Sequence, residues 1–134
     1  MKKYLLLFVA ALIFVSCGSD DEPVVAEASI IGSWEYYKEG TIVGGTETLA
    51  NYENSCSTKK DYVEFLQNGE YDDVYYDSNC DESIDYGDWT KSGNMLTNVT
   101  EDTTVEILVL TNTTLKIKYV DTDGAIYTTV FRRK

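Results

Sequence analysis

DYVEFLQNGEYDDVYYD, residues 61 to 77, decides the fold. Two runs rich in Tyr, Val and Phe flank Asn68-Gly69, and Asn-Gly between such runs is the strongest short hairpin signal. If Gln67 and Glu70 flank a two-residue turn, the numbers of paired residues add up to 137. Cys56 and Cys80 add up to 136, so they are expected to lie opposite each other, within one residue, at the open end of the hairpin. A disulfide between them is expected. It would close a loop of about 25 residues and stabilise the fold by roughly 3.5 kcal/mol in the chain-entropy picture. The alternative use is a redox dithiol, although the spacing is not C-x-x-C.

Working outward, the same short-strand pattern recurs. Residues 31–39 alternate around Trp34, Tyr36 and Lys38. Residues 59–67 and 70–77 form the hairpin, and 84–90 and 95–100 flank a turn at Lys91-Ser92-Gly93-Asn94. Residues 103–110 place Val105, Ile107 and Val109 on one face. Residues 113–120 set Leu115, Ile117 and Tyr119 against Thr114, Lys116 and Lys118. Asp123-Gly124 makes a second hairpin turn, and 125–132 brings Tyr127, Thr129 and Phe131 into phase. Within the connection 40–58, TETLANYEN predicts a short helix capped by Thr46 that buries Leu49, Ala50 and Tyr52. The expected architecture is all-β: eight antiparallel strands in simple succession, closed into an up-and-down barrel. Closure removes exposed edges, and eight strands leave room for packed side chains or one small ligand.

The chain has 134 residues, which suits one domain, with eleven Tyr and one Pro. Its formal charge is −12, which disfavours nucleic acid as a partner. There is no His, which removes the usual general base and zinc ligand and both the Ser-His and Cys-His pairs. The expectation is a protein that is not an enzyme and carries no cofactor.

Lys2-Lys3 precede the apolar run YLLLFVAALIFV, residues 4–15, which is too short to span a bilayer and has the layout of a secretory signal. Phe14-Val15-Ser16-Cys17 resembles the lipobox of bacterial lipoproteins, with Phe14 where that pattern prefers Leu. The acidic stretch Gly18-Ser19-Asp20-Asp21-Glu22 resembles the export tag of some surface lipoproteins. These resemblances imply residues 1–16 as signal peptide and acylation of Cys17, with palmitate-type chains anchoring the protein in the outer membrane, facing the cell surface. Residues 17–29 read as a flexible acidic tether and 30–134 as the domain. Loss of Lys2 and Lys3 would leave nine basic residues against 23 acidic ones, a formal −14.

Gly32-Ser33-Trp34 is the G-x-W that opens lipocalins. Tyr62-Val63-Glu64-Phe65 before Asn68-Gly69, a second G-x-W at Gly87-Asp88-Trp89, Leu110-Thr111-Asn112-Thr113-Thr114-Leu115, and the closing Phe131-Arg132-Arg133-Lys134 follow in order. Over residues 30–134 the chain resembles the bacterial lipocalin-like domain of small lipoproteins. The resemblance implies that Arg132 or Arg133 stacks over Trp34 to close one end of the barrel, a structural role worth about 0.5–2 kcal/mol. Trp89 is also expected in the core.

Two candidate sites remain. Asp77, Asn79 and Asp81 begin a sequence with EF-hand-like spacing, but Glu82 stands where Gly is needed and Asp88 where Glu is needed, so an acidic solvated loop is expected rather than a metal site. The barrel interior is the other. If Trp34 points inward, Tyr36 and Lys38 do too, and Tyr76, Tyr119 and Tyr127 could join them. Such a pocket would suit a small, partly apolar ligand, amphipathic or anionic, in a monomeric protein. The alternative is a filled barrel in a surface-interaction or structural lipoprotein.

Overall fold

The computed structural model describes residues 27–134. The signal-type segment 1–16, Cys17 and most of the tether lie outside those residues. Nine strands follow in order: β1 (Gly32–Val43), β2 (Thr46–Asn51), β3 (Tyr62–Phe65), β4 (Glu70–Tyr76), β5 (Glu82–Ser92), β6 (Met95–Asn98), β7 (Thr103–Leu110), β8 (Thr114–Val120) and β9 (Ile126–Arg133). Each strand from β3 to β9 pairs antiparallel with the next. β1 pairs with β3 along one edge and with β9 along the other, which closes a barrel of eight strands.

β2 is the ninth strand and a correction to the expected helix. TETLAN is extended, not helical, and pairs with residues 38–43 of β1. β9 occupies the opposite edge of β1 over that stretch, so β2 takes the edge that β3, paired only with residues 32–35, leaves open. The unmade hydrogen bonds of that edge outweigh the weak local helix preference of TETLAN. Glu47 then reaches across to Lys116 of β8 and to the Thr128 hydroxyl of β9, and both bonds pull its pKa down.

The opening hairpin forms, with its turn one residue longer than expected. The Gly69 amide donates to the Leu66 carbonyl at 3.2 Å, and Gly69 sits at φ 90°, so Gln67, Asn68 and Gly69 make a three-residue loop. Tyr62 faces Val74 and Phe65 faces Tyr71, so paired numbers add up to 136, the sum for Cys56 and Cys80. Those two cysteines are disulfide-bonded, with Cα atoms 4.9 Å apart.

Two bulges reset the alternation. One lies between Tyr36 and Lys38, so Tyr36 faces Phe131 and Lys38 faces Val130. The other lies between Ile107 and Val109, so Leu110, not Val109, packs against the core, and Val109 is 38% exposed. The expected grouping of Val105, Ile107 and Val109 on one face is thus corrected at Val109. A bulge adds one unpaired residue and flips every side chain beyond it.

The core is concentrated where β1 begins and β9 ends. Ile30, Trp34, Val63, Phe65, Leu96, Ile107, Leu115 and Phe131 are buried together, with Trp34 and Leu115 at 0% exposure. The other end carries Tyr52, Tyr75, Tyr119 and Tyr127.

Candidate ligand site

Above this core, the barrel holds a partly open cavity of about 190 Å³. Val63, Phe65, Trp89, Leu96, Val105, Ile117 and Phe131 supply its apolar wall, and Tyr36, Tyr71, Asp73, Asn98 and Thr103 its polar points. Alternation builds the polar side. With Val63 and Phe65 inward on β3, their partners Asp73 and Tyr71 on β4 face inward too, and Tyr75 follows two residues on.

Asp73 is the centre of this polar side. The Tyr36 hydroxyl lies 2.9 Å from both carboxylate oxygens, and the Tyr75 hydroxyl donates to Oδ2 at 2.6 Å. No ion pair among the described residues involves Asp73. Burial holds its carboxyl above the usual range, against the lowering effect of the Tyr75 and Tyr36 hydrogen bonds, and Asp85 and Asp61 add repulsion. Burial, then the charge of Asp73, pushes Tyr36 far above its ordinary value. Burial and the bond to Asp73 raise Tyr75 as well. At physiological pH both phenols are therefore neutral donors.

The mouth is braced from the residue just after β2. The Tyr52 ring stacks on Tyr36 with centroids 4.9 Å apart, and its hydroxyl donates to Asp61 Oδ2 at 2.8 Å. Asp61 is 4% exposed and also accepts from the Tyr76 amide, while its own amide donates to Asn54. The carboxylate of Asp61 is thus spent on holding the disulfide-bearing loop against β4. Across the cavity the Asn98 amide donates to the Tyr71 hydroxyl at 2.8 Å, which leaves the Tyr71 proton free to donate.

Of the residues expected to bind ligand, only Tyr36 lines the cavity. Tyr119 and Tyr127 share the inward face of β8 and β9 and stack 5.0 Å apart, but they stand at the rim, outside the cavity wall. Lys38 is displaced by the bulge. It pairs with Val130 and sits 5.3 Å from the outward Tyr37 ring, while Glu39 takes the inward phase opposite Thr129. Tyr76 is likewise on the outer face, where its hydroxyl donates to Glu82 and Lys59 lies over its ring. The bond to Glu82 pushes its pKa up to about 12.

Asp73, Tyr75, Tyr71 and Asn98 were missed from sequence. The available signal was a carboxylate at an inward position of β4, legible once Val63 and Phe65 had been placed inside.

The sealing contact resolves the choice between two arginines. The Arg133 guanidinium lies 3.8 Å from the Trp34 ring centroid, whereas Arg132 stacks on Tyr37 outside. Arg133 also donates to the carbonyls of Ser29, Ile31 and Asn112. Gly32 permits this approach, since a Cβ there would stand 2.7 Å from the guanidinium, and its φ of 114° suits glycine alone. Trp34 Nε1 donates to the Ile30 carbonyl at 2.7 Å.

This closing geometry, first-strand Trp under last-strand Arg, is what the G-x-W resemblance implied, and the lipocalin-like domain profile matches residues 30–117. The chain belongs to the lipocalin-like domain family. The crystal structure of a lipocalin-like protein from Bacteroides uniformis is similar in fold, with a TM-score of 0.55 at 13% identity. The match covers 78% of this chain and 97% of that one. An uncharacterized protein from Bacteroides eggerthii matches equally, with a TM-score of 0.55 at 12% identity over 79% of this chain and 100% of that one. No curated protein matches the chain in sequence.

The loop with EF-hand-like spacing uses its first carboxylate internally. Asp77 Oδ1 accepts from the Asn79 and Asp81 amides, which shapes the turn that carries Cys80 at φ 65°. Among the described residues there is no group of three or more His, Cys, Asp or Glu arranged to hold a metal.

Proposed function

We propose that this protein is a lipid-anchored, non-enzymatic binding protein of the cell envelope whose lipocalin-like barrel holds one small, mostly apolar molecule. Acylated Cys17 attaches it to the outer membrane, residues 18–29 form the tether, and the barrel works as a monomer at the cell surface. The observation that carries the binding reading is the cavity of about 190 Å³, apolar on most of its wall and polar at Tyr36, Asp73, Tyr71 and Asn98. An apolar hole of about 150 Å³ takes up benzene, so this volume suits a molecule of one ring. It is below the usual range for drug-sized ligands, roughly 300–1,000 Å³. Native mass spectrometry of the protein purified from its own envelope tests the reading. A bound small molecule at one per chain is expected; an empty barrel that also fails to take up single-ring compounds would overturn it. The anchor has its own test. Cys17→Ser should abolish acyl labelling and release the protein from membranes; persistence of both would refute it.

A further inference from the structure

Asp73 places a carboxyl group in the wall of a largely apolar cavity, and no cation of the described residues pairs with it. Two phenol protons reach it, from Tyr36 and Tyr75, against about four acceptor positions on a carboxylate. A desolvated charge with spare acceptor capacity is costly unless something supplies the opposite charge. Among the described residues nothing does so: Asp85 of β5 is paired with Asp73 and adds repulsion, as does Asp61. Lys38, the one cation expected inside, lies outside the barrel.

We propose that the cavity ligand is a small cationic amine carrying one apolar ring, with its ammonium on Asp73 between Tyr36 and Tyr71 and its ring against Trp89, Phe65 and Leu96. The proposal rests on the barrel-binding reading above and names the chemistry of the ligand. Two features agree with it. The rings of Tyr36, Tyr71, Trp89 and Phe131 line the cavity, and aromatic walls favour a desolvated cation. The chain carries a formal charge of −12, which concentrates cations near its surface and repels anions. An anionic ligand, allowed by the sequence reading that placed Lys38 inside, is disfavoured on each count.

The experiment is calorimetric titration of the purified chain at about pH 8, where a primary amine is protonated. Three probes share one ring size: phenethylamine, the neutral 2-phenylethanol and the anionic phenylacetate. Phenethylamine is expected to bind at least about tenfold more tightly than 2-phenylethanol, since about 1.4 kcal/mol is one decade, and phenylacetate should not bind. Asp73→Asn should erase the preference for the amine over 2-phenylethanol. Equal binding of amine and alcohol, or an unchanged preference in Asp73→Asn, overturns the amine assignment while leaving the barrel as a binding site. Failure of all three probes overturns both. If Asp73→Asn does not fold, the ranking of the three probes on the unaltered chain decides alone.

Discussion

Two G-x-W motifs mark two regions of one barrel, and they do opposite work. Trp34 is sealed at 0% exposure, capped by Arg133 and bonded through its indole N–H to Ile30. Trp89 is half-buried; its N–H donates to the Glu70 carbonyl, its ring meets the edge of Phe65 5.3 Å away, and its inner side is cavity wall. Each motif's glycine makes room for a neighbour. At Gly32 the neighbour is the Arg133 guanidinium; at Gly87 a Cβ would stand 2.5 Å from Thr100 Oγ1 and 2.9 Å from the Tyr71 ring. The first motif thus closes an end, while the second holds Tyr71 and Trp89 around a space. The same three-residue pattern makes a plug or a wall depending on whether a last-strand cation covers it.

The contrast can be broken most sharply by truncating both indoles. Trp34→Ala is expected to cost about 3–5 kcal/mol in urea unfolding, and Trp89→Ala less than half as much, because one side of that ring already faces a cavity. Equal losses would mean that the two ends are not specialised. Removing the disulfide should come next. Cys56→Ser with Cys80→Ser is expected to cost about 2–4 kcal/mol, with faster hydrogen exchange confined to residues 52–61 and 74–81. Faster exchange around Trp34 instead would show that the disulfide braces the sealed end.

At the sealed end, Arg133→Ala should cost about 1–2 kcal/mol in the same assay, through the lost cation–π contact and three carbonyls left without a donor. Arg132→Ala, which removes an exposed stack on Tyr37, should stay within about 0.5 kcal/mol. A reversed order would reassign the cap. The smallest effect is one of pH. Because the Asp73 carboxyl is held above its unfolded value, it binds its proton more tightly in the fold than out of it. Its contribution to stability is therefore most favourable below the unfolded pKa of about 3.9 and is lost as pH rises through the folded value. Asp73→Asn should gain on the unaltered protein as pH rises from about 4 to 7. Tyr36 and Tyr75 stay neutral in both proteins. A stability difference flat with pH would mean that Asp73 feels no net burial.

Much of the barrel could be read in advance because its signals are local. Leu115, Ile117 and Tyr119 against Lys116 and Lys118 is a period-two statement that needs no partner, and it holds in β8. The pairing of Cys56 with Cys80 survived an error of one residue in the turn, since both readings left them opposite. Lys38, Val109 and Tyr76 were misplaced for another reason. A bulge at Tyr37 or Leu108 is chosen by how two strands fit around a closed cylinder, and nothing in the run EYYKE, residues 35–39, announces it. The tyrosine pair in VYY offers two phases, and only the register with β3 selects Tyr75 for the interior. β2 was misread because its helix-like pattern is weak and its partner edge exists only after β3 has diverged from β1.

The sequence alone therefore determined the eight strands of the barrel, the order of their hairpins, the closing tryptophan, the disulfide and the family resemblance, all set by alternation, turn chemistry and short motifs. Tertiary structure alone decided what the interior offers a ligand. Which side chain faces inward depends on bulges, and whether a carboxylate is charged, paired or stranded depends on what packs around it. Those are properties of barrel closure, and they turned an interior expected to present Lys38 into one that presents Asp73.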